Sequence, residues 1–165
     1  MDRTKAGRYL GFLMATILLA GCASSASGSP AASPLDLPAV TDALRSAGIA
    51  VVDVADNLNP RDGAWRCLPG LFHLARVSQQ PSAALARPGD PPSVDIFLFS
   101  SDAERAAAQA AIGADGQVRT QGCGVMVDWV ATPNVVGTRN VLLFIATDDA
   151  AALAALRAAA SRLGG

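Results

Sequence analysis

Histidine occurs once in this chain, at His73, and lysine once, at Lys5. A Ser-His-Asp triad would have to use His73, and no Gly-x-Ser-x-Gly elbow accompanies it. His73 falls in strand register with Leu71, Ala75 and Val77, an apolar pattern that reads as a packed residue rather than a base. Metal chemistry is equally short of ligands. No Cys-x-x-Cys occurs, and the oxygen-bearing residues from Asp53 to Asp62 lack the spacing of a calcium-binding loop. Gly122-Cys123-Gly124 lacks the third glycine and the following helix of a phosphate-binding loop. No metal and no cofactor is expected. After residue 21 the chain has ten arginines, no lysine and thirteen carboxylates, with no basic stripe. That slightly acidic balance argues against a nucleic-acid partner and against a polybasic lipid-binding patch.

What is present begins at the N-terminus. Arg3, Lys5 and Arg8 precede an apolar run from Tyr9 to Ala20, which ends in small residues. A basic start, an apolar middle and a small-residue exit form a secretory signal peptide, expected over 1–21. Twelve residues are too few for a membrane span, which needs roughly 20. Leu19-Ala20-Gly21-Cys22 resembles a bacterial lipobox. The resemblance implies that lipid is placed on the Cys22 thiol, that cleavage precedes it, and that acyl chains such as palmitate then anchor the protein. Each buried CH₂ contributes about 0.8 kcal/mol, so one chain binds weakly and several hold firmly. Membrane lipid, through acylated Cys22, is thus an expected partner. Ala23 stands where an Asp would signal inner-membrane retention, which favours the outer membrane in a host that has one. Ala23 to Pro34 contains only Ala, Ser, Gly and Pro. Such a stretch cannot bury enough surface to offset ordering entropy, so 22–34 reads as the lipidated cysteine and a flexible tether. Residues 35–165 then suffice for one globular domain.

With Cys22 taken by lipid, Cys67 and Cys123 remain in a disulfide-permissive compartment. An even remainder reads as a structural bridge, contributing about 4 kcal/mol for a long loop. The alternative reading is a reactive thiol or metal site, with Cys123 exposed between Gly122 and Gly124.

The pattern predicts a helix over 37–47, capped by Asp36 and stopped by Gly48, then a strand over 49–54 and a loop over 56–66. A strand over 70–78 follows, then a loop with four prolines over 79–92 and a strong apolar strand over 94–99. Ser101 and Glu104 form a capping box for a helix over 102–112. Val125 to Thr132 alternates as a strand, Pro133 to Gly137 reads as a turn, and 141–146 is a fully apolar strand. Asp148 and Asp149 open a last helix with a core stripe of Leu153, Leu156, Ala160 and Leu163. The expected class is α+β: one domain, a mainly antiparallel sheet of about five strands, helices on one face, and a possible ββα repeat. Strands 94–99 and 141–146 are apolar on both sides, and the proline-rich loop could supply a second cover.

Two pairs could carry function. Asp95 and Asp128 both lie in expected strands and could meet as a carboxylate pair of the kind glycosidases use. Trp65 and Trp129 lie near loops and form a possible binding surface. Trp65 is either a lid over the core, pinned inward by Cys67, or a contact residue.

From Val94 to Leu163 the chain resembles a family of short, uncharacterised bacterial lipoproteins. The shared pattern is the strand from Val94, the Ala-rich helix from Asp102, Asp115-Gly116, the run Val127-Asp128-Trp129-Val130-Ala131-Thr132-Pro133, the strand from Val141, Asp148-Asp149 and the terminal helix. Where members carry histidine and aromatic residues after the proline, this chain has Asn134, Val135 and Val136. The resemblance implies an envelope lipoprotein and supplies no mechanism. The expectation is a non-catalytic binding, adaptor or inhibitory module with an envelope protein partner. The alternatives are a small extracytoplasmic hydrolase working through carboxylates and a purely structural envelope component.

Overall fold

A computed structural model describes residues 33–60, 63–80, 92–123 and 125–165. The expected leader, Cys22, the tether through residue 32 and most of the proline-rich loop lie outside the described residues.

The first helix, α1 (Leu37–Ser46), begins where Asp36 accepts the Ala39 N–H at 3.0 Å and Pro38 occupies the first turn. It turns Val40 and Leu44 inward and ends before Gly48, whose φ of 89° suits a residue without a Cβ. The strands β1 (Asp53–Leu58), β2 (His73–Ser78) and β3 (Val94–Leu98) follow. Next come α2 (Asp102–Ala111), β4 (Pro133–Thr138), β5 (Val141–Ala146) and α3 (Ala150–Gly164). In α2 the Ser101 hydroxyl accepts the Glu104 N–H at 3.2 Å, and Glu104 reaches back to the Ser100 N–H at 3.1 Å. In α3 only Asp149 caps, accepting the Ala151 N–H at 2.8 Å. Asp148 turns to Thr132 instead.

The five strands form one antiparallel sheet in the order β1-β2-β3-β5-β4. The class, the single domain and the antiparallel pairing are those the pattern predicts. The strands β3 and β5 lie at the centre and are buried on both faces, as their unbroken apolar runs require. Val94, Ile96, Val141, Leu143 and Ile145 face α1 and α3. Phe97, Leu142 and Phe144 face the other way, towards Ala108 of α2, Trp65 and Val118. The helices do not all take one face as expected: α1 and α3 share one face, whereas α2 covers the opposite one, because β3 and β5 carry apolar side chains on both sides. Among the described residues the second cover is α2 with the segments around Trp65 and Val118. The two ββα runs exist in order, as β2-β3-α2 and β4-β5-α3. Their helices go to opposite faces, so the runs are not copies in space.

Three boundaries differ from the pattern. The first strand is Asp53–Leu58, not 49–54. Ile49 is spent on the core beneath α1, and the ladder to β2 begins only at Asp53 opposite Ser78. The second strand starts at His73 rather than Gly70, since Gly70 takes φ 68°. The largest correction concerns the fourth strand. Residues 125–132 form no ladder, and the strand is Pro133–Thr138. Burial alternates from Val125 to Val130 as the sequence suggests. However, the segment's backbone is held by a side chain: Gln117 accepts the Val127 N–H at 2.9 Å and donates to the Val127 carbonyl at 2.6 Å. Pro133 opens an edge strand, the place where a residue without an N–H costs least.

Candidate functional site

The disulfide organises the α2 side of the sheet. Cys67 and Cys123 are bonded with a Cα–Cα distance of 5.9 Å, closing 56 positions of chain. The bridge ties the short 3₁₀ turn Gly63–Trp65 to the segment that leads into residues 125–130, and Thr120 adds a hydrogen bond to the Cys67 carbonyl at 3.2 Å. Trp65 is thereby pressed onto the sheet and is only 3% exposed. It meets Phe97 and Phe144 edge-on at 4.8 and 4.7 Å and stacks on Trp129 at 5.6 Å. The lid reading of Trp65 holds, and its indole is not part of the surface. Trp129 lies half-buried at the rim, 4.7 Å from Phe144. Its Nε1 is buried with no hydrogen-bond partner among the described residues. Gly116 is required beside it: φ is 72°, and a Cβ would come within 2.7 Å of that nitrogen and 2.6 Å of Pro133.

Beneath Trp65 lies a charge pair that the sequence reading missed. Asp95 is 4% exposed in the middle of β3. Its Oδ1 accepts from Arg76 Nε at 2.5 Å, and its Oδ2 accepts from Arg76 Nη2 at 3.0 Å and from Trp65 Nε1 at 3.0 Å. A buried carboxylate needs such partners, because desolvation of a lone one costs several kcal/mol. The hydrogen bond that Arg76 donates to Asp95 raises the Arg76 pKa above its ordinary value, against the opposing effect of burial. The signal for the pair was an arginine and an aspartate each placed inside an apolar strand, where opposite charges on one face attract across the ladder.

Arg76, Ser93, Asp95, Trp129, Val130 and Phe144 line a shallow cleft of about 260 Å³. Its floor is the neutralised ion pair and its wall is aromatic. Val130 stands 100% exposed at its rim, and Met126 of the same segment is 90% exposed. Both Asp95 oxygens are engaged by hydrogen bonds, Oδ1 by Arg76 and Oδ2 by Arg76 and Trp65. Asp128 lies exposed on the irregular segment rather than on a paired strand, and strand pairing does not bring it to Asp95. His73 contacts Asp56 of β1 at 2.5 Å across the edge of the sheet, away from this cleft. Among the described residues no three or more His, Cys, Asp or Glu side chains gather as a metal set.

A second hollow of about 540 Å³ opens on the α3 side, between Ile49, Gln79, Ile145, Thr147 and the first turns of α3. The residues that α3 contributes to its lining are all small: Ala151, Ala152 and Ala155.

The chain matches no family model, no curated protein and no solved structure. A disulfide of this kind forms and persists in oxidising compartments, so the domain is extracytoplasmic. No helix among the described residues is long and apolar enough to cross a membrane.

Proposed function

We propose that this chain is a lipid-anchored envelope lipoprotein whose domain is a non-catalytic binding module, with the cleft beside Arg76 and Trp129 as its contact surface. One observation carries the anchor. Cys67 and Cys123 satisfy one another, which leaves Cys22, directly after Leu19-Ala20-Gly21, as the remaining cysteine. Its sequence context resembles a lipobox, and the thiol is left for acyl transfer.

The binding role is supported by an aromatic and ion-paired floor with the apolar Val130 fully exposed at its rim. Against the hydrolase reading stands the engagement of both Asp95 oxygens. The described chain enters at Ser33–Leu35, beside Arg139 and Asn140. The cleft lies towards the other end of β5, at Phe144 and Ala146.

Two measurements test the proposal. Membrane fractionation with mass analysis of the N-terminus should give an acylated Cys22 in the wild type. Cys22→Ser should yield a protein that leaves the membrane fraction or persists as uncleaved precursor. An unmodified Cys22 in wild type, or a membrane-bound Ser variant of mature size, defeats the anchor. A photo-crosslinking residue at Val130 should capture a partner in the native envelope, while one at exposed Arg157 should not. Equal capture at both positions defeats the cleft.

A further inference from the structure

The two edges of the sheet are built differently. At β1 the register shifts between Ala55 and Leu58, Asn57 sits at φ 53°, and Asp53 and Asp56 carry charge. A bulge and charges are the usual means by which an edge strand refuses a partner. At β4 the ladder to β5 runs unbroken from Pro133 to Thr138, and none of those residues is charged. This edge has neither form of protection.

Backbone geometry shows which groups β4 leaves open. Thr138 pairs with Val141 across a two-residue turn, and the Thr147 N–H donates to the Thr132 carbonyl at 2.8 Å. Antiparallel alternation then aims the backbone groups of Asn134, Val136 and Thr138 at β5 and those of Pro133, Val135 and Gly137 outward. Pro133 occupies an outward position, where its missing N–H removes no bond to β5. Among the described residues no hydrogen bond takes up the outward N–H of Val135 or Gly137.

We propose that β4 is a self-association edge, which pairs antiparallel with β4 of a second copy about a two-fold axis at Val135. In that register each Val135 exchanges N–H and carbonyl with the opposing Val135, and each Gly137 N–H donates to the opposing Pro133 carbonyl. Every outward N–H of the strand is then used. The N–H that proline lacks falls opposite the Gly137 carbonyl, an acceptor, and an unpaired acceptor is better tolerated than an unpaired donor. No like charges meet across the axis, and the central pair is β-branched, which favours sheet pairing. The donor and acceptor row is thus complementary to itself, the requirement of a two-fold interface, and this makes a second copy the occupant.

The test is disulfide capture on the full chain purified in detergent. Val135→Cys places two thiols at the axis, within the Cα separation that a disulfide spans. Mild oxidation should give a reducible dimer several-fold more abundant than in the unsubstituted chain or in Asp53→Cys, which probes the protected edge. Capture no greater than in those controls overturns the proposal. Val135→Pro removes the central donor without touching the ladder to β5. It should shift the sedimenting species towards monomer while near-ultraviolet circular dichroism stays native. A native-like Val135→Pro that dimerises as the wild type does also overturns it, and if that variant fails to fold, the Val135→Cys capture decides. Oxidation of Val135→Cys in whole envelopes before purification covers the remaining occupant. An adduct with a different protein in place of the dimer assigns the edge to that protein and sinks self-pairing.

Discussion

Asn140 grips the backbone of Leu35 from the far end of the chain. Its Oδ1 accepts the Leu35 N–H at 2.7 Å, and its Nδ2 donates to the Leu35 carbonyl and to the Phe99 carbonyl, both at 3.1 Å. Asn140 is 2% exposed, so these groups have no ready replacement in water. One amide side chain therefore joins the entry to α1, the end of β3 and the turn before β5. Asn140→Ala should destabilise the domain by about 3 kcal/mol, since it strands several buried polar groups at once. Denaturant unfolding gives the magnitude. Hydrogen exchange should show the loss first at Leu35, and an unchanged Leu35 exchange rate would contradict the assignment.

The Arg76–Asp95 pair predicts an order among substitutions. Asp95→Ala removes the acceptor of Trp65 Nε1 and leaves a guanidinium without its partner. Because Arg76 is about half in water, the cost is that of a partly screened pair, about 2 kcal/mol. Asp95→Asn keeps an acceptor for the indole and should cost less. The Trp65 indole N–H resonance is the local readout. It should move far in Asp95→Ala and little in Asp95→Asn, and equal movement would argue against the hydrogen bond.

Removing the disulfide tests how the Trp65 layer is held. Replacing both Cys67 and Cys123 by Ser should cost about 4 kcal/mol by the loop-entropy argument. Near-ultraviolet circular dichroism should weaken as the stack of Trp65 on Trp129 loosens. The antiparallel sheet should survive, because its central strands do not depend on the bridge. A double-serine protein with wild-type stability would count against a structural role.

Asp148 predicts an acid response. Its hydrogen bonds from the Thr132 hydroxyl and N–H hold its pKa below the ordinary aspartate value. A carboxylate depressed in the folded state contributes stability above its unfolded pKa and loses it as pH falls through the lower folded value. The contact between the entry to β4 and the start of α3 should therefore loosen only below about pH 4. Following the Thr132 amide resonance during an acid titration checks this. A midpoint at or above that of an ordinary aspartate would refute it, and Asp148→Asn should abolish the transition.

Much of the fold was legible in the residues. The caps at Asp36 and Ser101 are read from side-chain chemistry that acts within one turn, so neighbours in sequence suffice. The runs at Val94 and Val141 are read from their apolar character, and burial on both faces demands that whatever surrounds them. The segment 125–132 shows where the pattern stops informing. Its alternation is real in burial, but a strand also needs a neighbour, and Gln117 takes the backbone groups that a neighbour would have used. The same limit hid Arg76, whose role depends on lying opposite Asp95 in a register that two separate strands set together.

What the sequence by itself determined are the properties that short-range chemistry decides: helix starts, apolar strands, the leftover cysteine arithmetic and the α+β class. What only the tertiary structure decided are the properties of pairing. These are the side of the sheet that each helix takes, the edge to which β4 is assigned, the burial of Trp65 and the engagement of Asp95. Each depends on contacts between residues distant along the chain. Their free energy belongs to the pair and its surroundings, and neither partner carries it in its own local pattern.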